Sequence, residues 1–480
     1  MRFGRESWRT FERGIEKEWL LANGIGGYAS STIIGANTRR YHGLLVASIN
    51  PPVERHLVLS KIDETLKIGN NSYNIYSFKT PDYIMEGFQY QQHFLYDPLP
   101  VYIYSVEDVF IEKKITMVYG ENTVAVVYRI INGAHSLKLR LTPLVNYRDY
   151  HHNSNRSHMI YKTMKTSLGV AINPYNMEIK ITITCDQADF TLHDNGWFIN
   201  MYYPKEQERG LYPLEDHFIP GYFDIEAHPG EEKYITVITT LENEIKERDG
   251  LALIKKEEER IKALIDIAGY RDDFAQKLTI AADKFIVYRK STSSKTIIAG
   301  YPWFTDWGRD TMIALPGIAL ITKRFNDAKE ILYTFSQYVK NGLLPNMFSD
   351  GGHSPAYNTV DASLWFFEAV SKFINYTNDY SFIREHVYKT LKEVIHAYIN
   401  GTQFLIKMDN DFLISAGNPY TQLTWMDAKA GGVPVTPRYG KAVEINALWY
   451  NALEIISSLA DDYGEDGSYY RKIAEKAAVN

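Results

Sequence analysis

Residues 299–320 read AGYPWFTDWGRDTMIALPGIAL. Tyr301, Trp303, Phe304 and Trp307 share a few residues with Asp306, Arg309 and Asp310, and an apolar run, Met312 to Leu320, follows at once. A loop this dense in rings and charges, set at the mouth of a helix, is poorly explained as packing. It reads as a sugar-binding wall, with rings for the apolar faces of a pyranose and charged groups for its hydroxyls. The stretch also divides two kinds of sequence. What lies upstream is mostly short and alternating, and what lies downstream has helical spacing.

Residues 1 to about 240 contain the alternating runs 56–68, 101–119, 123–131, 136–145, 177–185 and 233–241, separated by Gly, Asn, Pro and Asp clusters. That spacing predicts an antiparallel β-sandwich over 1–240. The glycines of ANGIGGYASSTIIG do not form a phosphate loop, because the residues after Gly27 read as a strand and not as a helix. Residues 241–270, with KKEEERIKALI inside them, predict a solvated linker helix. From 271 to 480 the spacing predicts about seven helices, over 272–290, 310–323, 327–342, 360–377, 381–407, 442–464 and 468–480.

The 480 residues are 45% hydrophobic and 23% charged, as in ordinary globular chains, and 14% aromatic with 36 Tyr. A net charge of −6 and the lack of any long basic run argue against nucleic acid. The N-terminus shows no apolar signal region and no run is long enough to span a bilayer, so a cytoplasmic location without membrane contact is expected. Cys185 alone forms no internal disulfide and reads as a half-buried core thiol.

Two further loops join helices in the second half. Residues 342–366 supply Asn346, Asp350, His353, Tyr357, Asn358, Asp361 and Trp365, and residues 415–449 supply Trp425, Asp427, Arg438, Lys441, Glu444 and Asn446. Cleaving a glycoside needs a proton donor to the leaving oxygen and a second carboxylate for water or for covalent attack. Asp427 is the best donor candidate, because Trp425 and Met426 form an apolar flank suited to keeping it protonated. The bland alternative is an Asx-turn. Asp306 and Asp310 beside Arg309 are expected to stay ionised and to hold hydroxyls, while Asp310 alternatively caps the helix after it. Glu444 is either a capping acid or a sugar contact. His353 with Asp350, and His151–His152 with Asp149, lack metal-ligand spacing, so neither metal nor cofactor is expected.

The blocks 299–320, 342–350, 357–366 and 423–453 resemble the catalytic domain of the archaeal and bacterial glycogen-debranching family, the amylo-α-1,6-glucosidases. Residues 18–48 and 143–152 resemble that family's N-terminal sandwich, so the likeness spans nearly the whole chain. It implies an (α/α)6 barrel behind a β-sandwich, and hydrolysis with inversion of the α-1,6-linked glucose stub at a glycogen branch. By the same resemblance Asp427 is the general acid, and Asp306, Arg309 and Asp310 line the subsite for the non-reducing glucose. Trp303, Trp425, Lys441 and Glu444 follow less directly, and Asn346 and Asp361 complete the expected sugar contacts.

The chain departs from the family pattern in one respect. Six helix pairs make such a barrel, and fewer are read here. The family's general base is a glutamate far downstream, so it is expected beyond Asn480. The catalytic domain, 271–480, is therefore expected to be incomplete and poorly active alone, and a second polypeptide is a candidate partner to complete it. Two other readings stay open, a glucoamylase-like exo-α-1,4-glucosidase and a non-catalytic glycogen-binding module. The role of the Arg39–Leu45 block is left open.

Overall fold

A computed structural model describes residues 1–348 and 355–480. They form two compact units, Met1–Ala263 and Leu264–Asn480.

The first unit is an antiparallel β-sandwich. Among the described residues one sheet has nine strands, running from Arg2–Gly4 at one edge to Tyr161–Thr166 at the other. The second has eight, with Val53–Ile68 and Leu137–Asp149 paired at its centre. Alternation in Val109–Met117 puts Val109, Ile111 and Ile115 into the core and Phe110, Glu112 and Lys114 outward, as period-2 side chains require. Pro143 lies inside a central strand, where its missing N–H would break a ladder. The register slips just beyond it, at Leu144/Val145.

The stretch 241–270 becomes helical only at Gly250, after Asp249 caps Leu251 N at 2.8 Å. It is also less solvated than its charges predict. Leu253, Ile254 and Ile261 are buried, Ile254 within the sandwich core, and Glu258 pairs with Lys114 at 2.6 Å. The charged residues occupy only the outer face of an amphipathic helix. Cys185 is buried outright rather than half-buried, and burial pushes its thiol up to about 12. Among the described residues no helix is long and apolar enough to cross a membrane.

The Arg39–Leu45 block is a polar knot within this unit. Arg39 and His42 hold Glu18, whose carboxyl sits at about 2 although burial works the other way. Arg40 pairs with Glu206 at 3.2 Å, and its carbonyl accepts from Arg148 at 2.6 Å. Arg148 in turn grips Glu215 at 2.6 and 2.8 Å, and Tyr203 donates to Glu215 at 2.6 Å.

His217, buried beside Glu215, is driven by that burial down to about 4 from an ordinary 6.5. Between those values the unfolded chain binds a proton that the folded chain refuses. Stability is therefore lost as pH falls through this window, by up to about 3 kcal/mol from this group. Urea midpoints measured at pH 7 and pH 5 test this. His217→Asn is expected to flatten the slope, and an unchanged slope in that variant refutes the assignment.

The second unit is helical. Its centre is helix Ala362–Thr377, whose Leu364, Phe366, Phe367, Val370 and Phe373 are all buried, and Asn378 closes it in the left-handed region at φ 54°. Helix Val443–Asp462 packs against it, burying Trp449 on Tyr398 with ring centroids 6.0 Å apart.

Two expected helices are revised. The one over 272–290 stops at Asp283, and Ile286–Arg289 instead pairs with Ser294–Ile297 as a hairpin. Alternating β-branched and aromatic residues favour that outcome. The one over 381–407 is two helices, Tyr380–His386 and Tyr388–Asn400.

Candidate functional site

The aromatic loop is built on the hairpin that replaced a predicted helix. Ile298 bridges to Asp306, and Ala299 N donates to Thr305 O at 2.8 Å, so residues 299–305 close on themselves with Trp303 and Phe304 exposed. Asp306 does not pair with Arg309 as its sequence position suggests. Its carboxylate is buried and clamped by both arms of Arg289, with Nε at 2.7 Å, and it accepts from Thr296 Oγ1 at 2.9 Å. Both its oxygens are engaged within the protein, so Asp306 braces the loop. Arg289 and Thr296 were missed from sequence. The only signal was an arginine on the inward face of a short alternating strand.

Helix Gly308–Leu315 begins directly after the loop, with Trp307, not Asp310, at its N-cap. Gly308 must be glycine, because a Cβ there would meet Pro345 O at 2.0 Å. That close approach lets Gly308 N donate to Asn346 O at 2.8 Å, joining the first loop to the second. Val360 N donating to Leu423 O at 2.8 Å joins the second to the third, four residues before Asp427. The three loops singled out by their residues therefore meet.

Arg309 lies where they meet. It is 8% exposed, donates Nε to Asp361 at 2.7 Å and reaches Asp427 with Nη1 at 3.3 Å. Its Nη2 and the Oδ1 of Asn346 are buried without a hydrogen-bond partner among the described residues. Such orphaned groups cost about 1–3 kcal/mol each, which a ligand's hydroxyls would recover.

Asp361 is 2% exposed and uses its other oxygen to accept from Thr359 Oγ1 at 2.7 Å. Asp310 stands in the first turn beside them. Burial pushes its carboxyl above the ordinary value, and the Arg309 cation only partly offsets this. The reason is that Arg309 directs its hydrogen bonds to Asp361 and Asp427 instead.

The apolar flank expected to cover Asp427 is turned outward. Trp425 is 58% exposed, and the Asp427 side chain is itself 37% exposed. Lys441 is held at Asp411 and Asp409, at 2.7 and 3.0 Å. Glu444, in the first turn of its helix, pairs with Arg438. Neither Lys441 nor Glu444 bonds to the Arg309 cluster: Glu444 is met by Arg438, six residues before it, and Lys441 by acids 30 and 32 residues upstream. Asp350 and His353 lie outside the described residues. His152 meets Asp149 at 3.1 Å, and among the described residues no three His, Cys, Asp or Glu are grouped to hold a metal.

Residues 17–234 match the family model described as glycogen debranching enzyme N terminal, and residues 280–480 match that of amylo-α-1,6-glucosidase. A glycogen debranching enzyme of Saccharomyces cerevisiae is 30% identical over 251 residues, covering 39% of this chain and 16% of the yeast protein. A bacterial glucoamylase solved in complex with acarbose superposes with a TM-score of 0.50 at 12% identity, covering 97% of this chain and 64% of that one. A putative kojibiose phosphorylase from the human microbiome gives 0.39 at 10% identity, covering 89% and 62%. The chain thus spans less than two thirds of each of these relatives. The glucoamylase likeness bears on the fold, a sandwich followed by helices, and the two family models bear on descent. Matched in both of its units, the chain belongs to the amylo-α-1,6-glucosidase family of glycogen-debranching glycoside hydrolases.

Proposed function

We propose that this chain binds the α-1,6-linked glucose at a branch point of glycogen or a similar α-glucan, and takes part in its hydrolysis with inversion. The observation that carries the reading is the meeting of Arg309, Asp310, Asp361 and Asp427, with Trp303 and Trp425 exposed on two of the loops that supply them. Asp427 protonates the leaving oxygen, being the most accessible carboxylate bonded to Arg309. Arg309, Asp310 and Asn346 hold the hydroxyls of the terminal glucose, and Trp303 and Trp425 offer ring faces to the sugar. The helical unit is part of an (α/α)6 barrel.

Inversion also needs a base about 6.5–9.5 Å from the acid, on the opposite face of the sugar. Four of the described acids after Asp427 suit that role poorly. Glu444 is tied to Arg438, Asp461 to Arg471 and Glu465 to Lys392, and Asp466 accepts from Ser468 N. On this reading none of these acids is the base, and a second polypeptide is one candidate to supply it. Assayed alone on a branched limit dextrin, the 480 residues should release glucose at least about 100-fold more slowly than a complete enzyme of the family. Comparable turnover would overturn that part of the reading.

The same assay on linear maltooligosaccharide separates debranching from a glucoamylase-like exo-α-1,4 activity, which would favour the linear substrate. Glycogen binding with no glucose release, even with enzyme in excess, would leave the binding-module reading.

A further inference from the structure

We infer that Asp361 is a positioning residue: it touches no sugar, and it aims the Arg309 guanidinium so that one arm meets Asp427 and another is left for the ligand. The inference rests on the proposed glucose site and assigns Asp361 a different task from the sugar contact its loop suggested.

The geometry is specific. Asp361 is 2% exposed, and each of its oxygens has a protein partner, Oδ1 with Thr359 Oγ1 at 2.7 Å and Oδ2 with Arg309 Nε at 2.7 Å. Thr359 is itself fully buried, so its hydroxyl is a fixed donor that orients the carboxylate. A guanidinium is planar, so fixing Nε also fixes the directions of Nη1 and Nη2. Nη1 then lies 3.3 Å from Asp427, and Nη2 is the buried arm without a partner among the described residues.

The long bond to Asp427 and the short one to Asp361 show which carboxylate anchors the arginine. Without the Asp361 charge, Arg309 is free to turn fully toward Asp427. Nη2 then leaves the position at which a glucose hydroxyl would meet it. Thr359 and Asp361 thus act through Arg309 on both the proton donor and the sugar.

The test is a double-mutant cycle on sugar binding, which needs no turnover. Isomaltose binding to the full chain is measured by tryptophan fluorescence for Asp361→Asn, Arg309→Met and the double variant, with circular-dichroism melting as the folding control. Asp361→Asn should weaken binding about ten-fold or more, as the loss of a charged hydrogen bond does. In the Arg309→Met background the same change should have almost no further effect. A further loss there, equal to that in the parent, means that Asp361 contacts the sugar itself and overturns the inference. Unaltered binding in Arg309→Met instead refutes the glucose site on which the inference rests.

Should Asp361→Asn fail to fold, Thr359→Val provides the same cycle. It removes only the hydroxyl that orients Asp361, and it should weaken binding a few-fold with Arg309 present and not at all without it.

Discussion

Asp427→Asn is expected to lower glucose release from a branched limit dextrin by about 10²–10⁴-fold, the range that a positioned general acid supplies. Asparagine keeps the size of the side chain and an oxygen that Arg309 Nη1, 3.3 Å away, still meets. It has no acidic proton to give the leaving oxygen. Binding of isomaltose should therefore survive while the chemical step fails, and single-turnover assays with protein in excess read that step even when the parent is slow. Retention of activity within a few-fold would remove Asp427 from the donor role. Attention would then pass to Asp310, the carboxyl of the cluster that burial pushes upward.

Breaking the Arg289–Asp306 clamp has the largest expected effect on stability. Both side chains are essentially inaccessible, and they meet through two hydrogen bonds with a third from Thr296. Removing either partner strands a charge away from water, which costs about 3–5 kcal/mol. For a unit of this size that corresponds to a melting point lower by roughly 10 °C. Arg289→Met and Asp306→Leu should each show that loss in a thermal melt followed by circular dichroism, and the pair together should recover much of it. A shift of only a degree or two in the single variants would mean that the charge is relieved by water. The same variants should weaken sugar binding although both Asp306 oxygens are engaged within the protein, since the 299–305 loop carrying Trp303 is braced by it.

Much of the architecture was legible from residue order. Alternation over 101–131 and 233–241 placed strands that do pair, and helical spacing over 360–377 and 442–464 placed the two helices that pack at the centre of the second unit. Local patterns misled where two periods compete. Residues 284–290 continue a helical stripe, and Ile286–Arg289 also alternates as a strand; the hairpin with Ser294–Ile297 decided for the latter. In the linker the many charges hid a buried stripe at Leu253, Ile254 and Ile261.

By itself the sequence determined the sandwich, the helical half, and the three loops rich in rings, acids and amides. Their separate meaning could be read because composition and period are local properties. Which acid meets which arginine was decided by tertiary structure alone. Asp306 and Arg309 are three residues apart, yet they straddle a strand-to-helix junction and take different partners, Arg289 and the Asp361–Asp427 pair. Asp361 and Asp427 lie 52 and 118 residues beyond Arg309. Ion pairing falls steeply with distance and needs aligned donors. The roles of these acids were therefore fixed only when Gly308 closed on Asn346 and Val360 on Leu423.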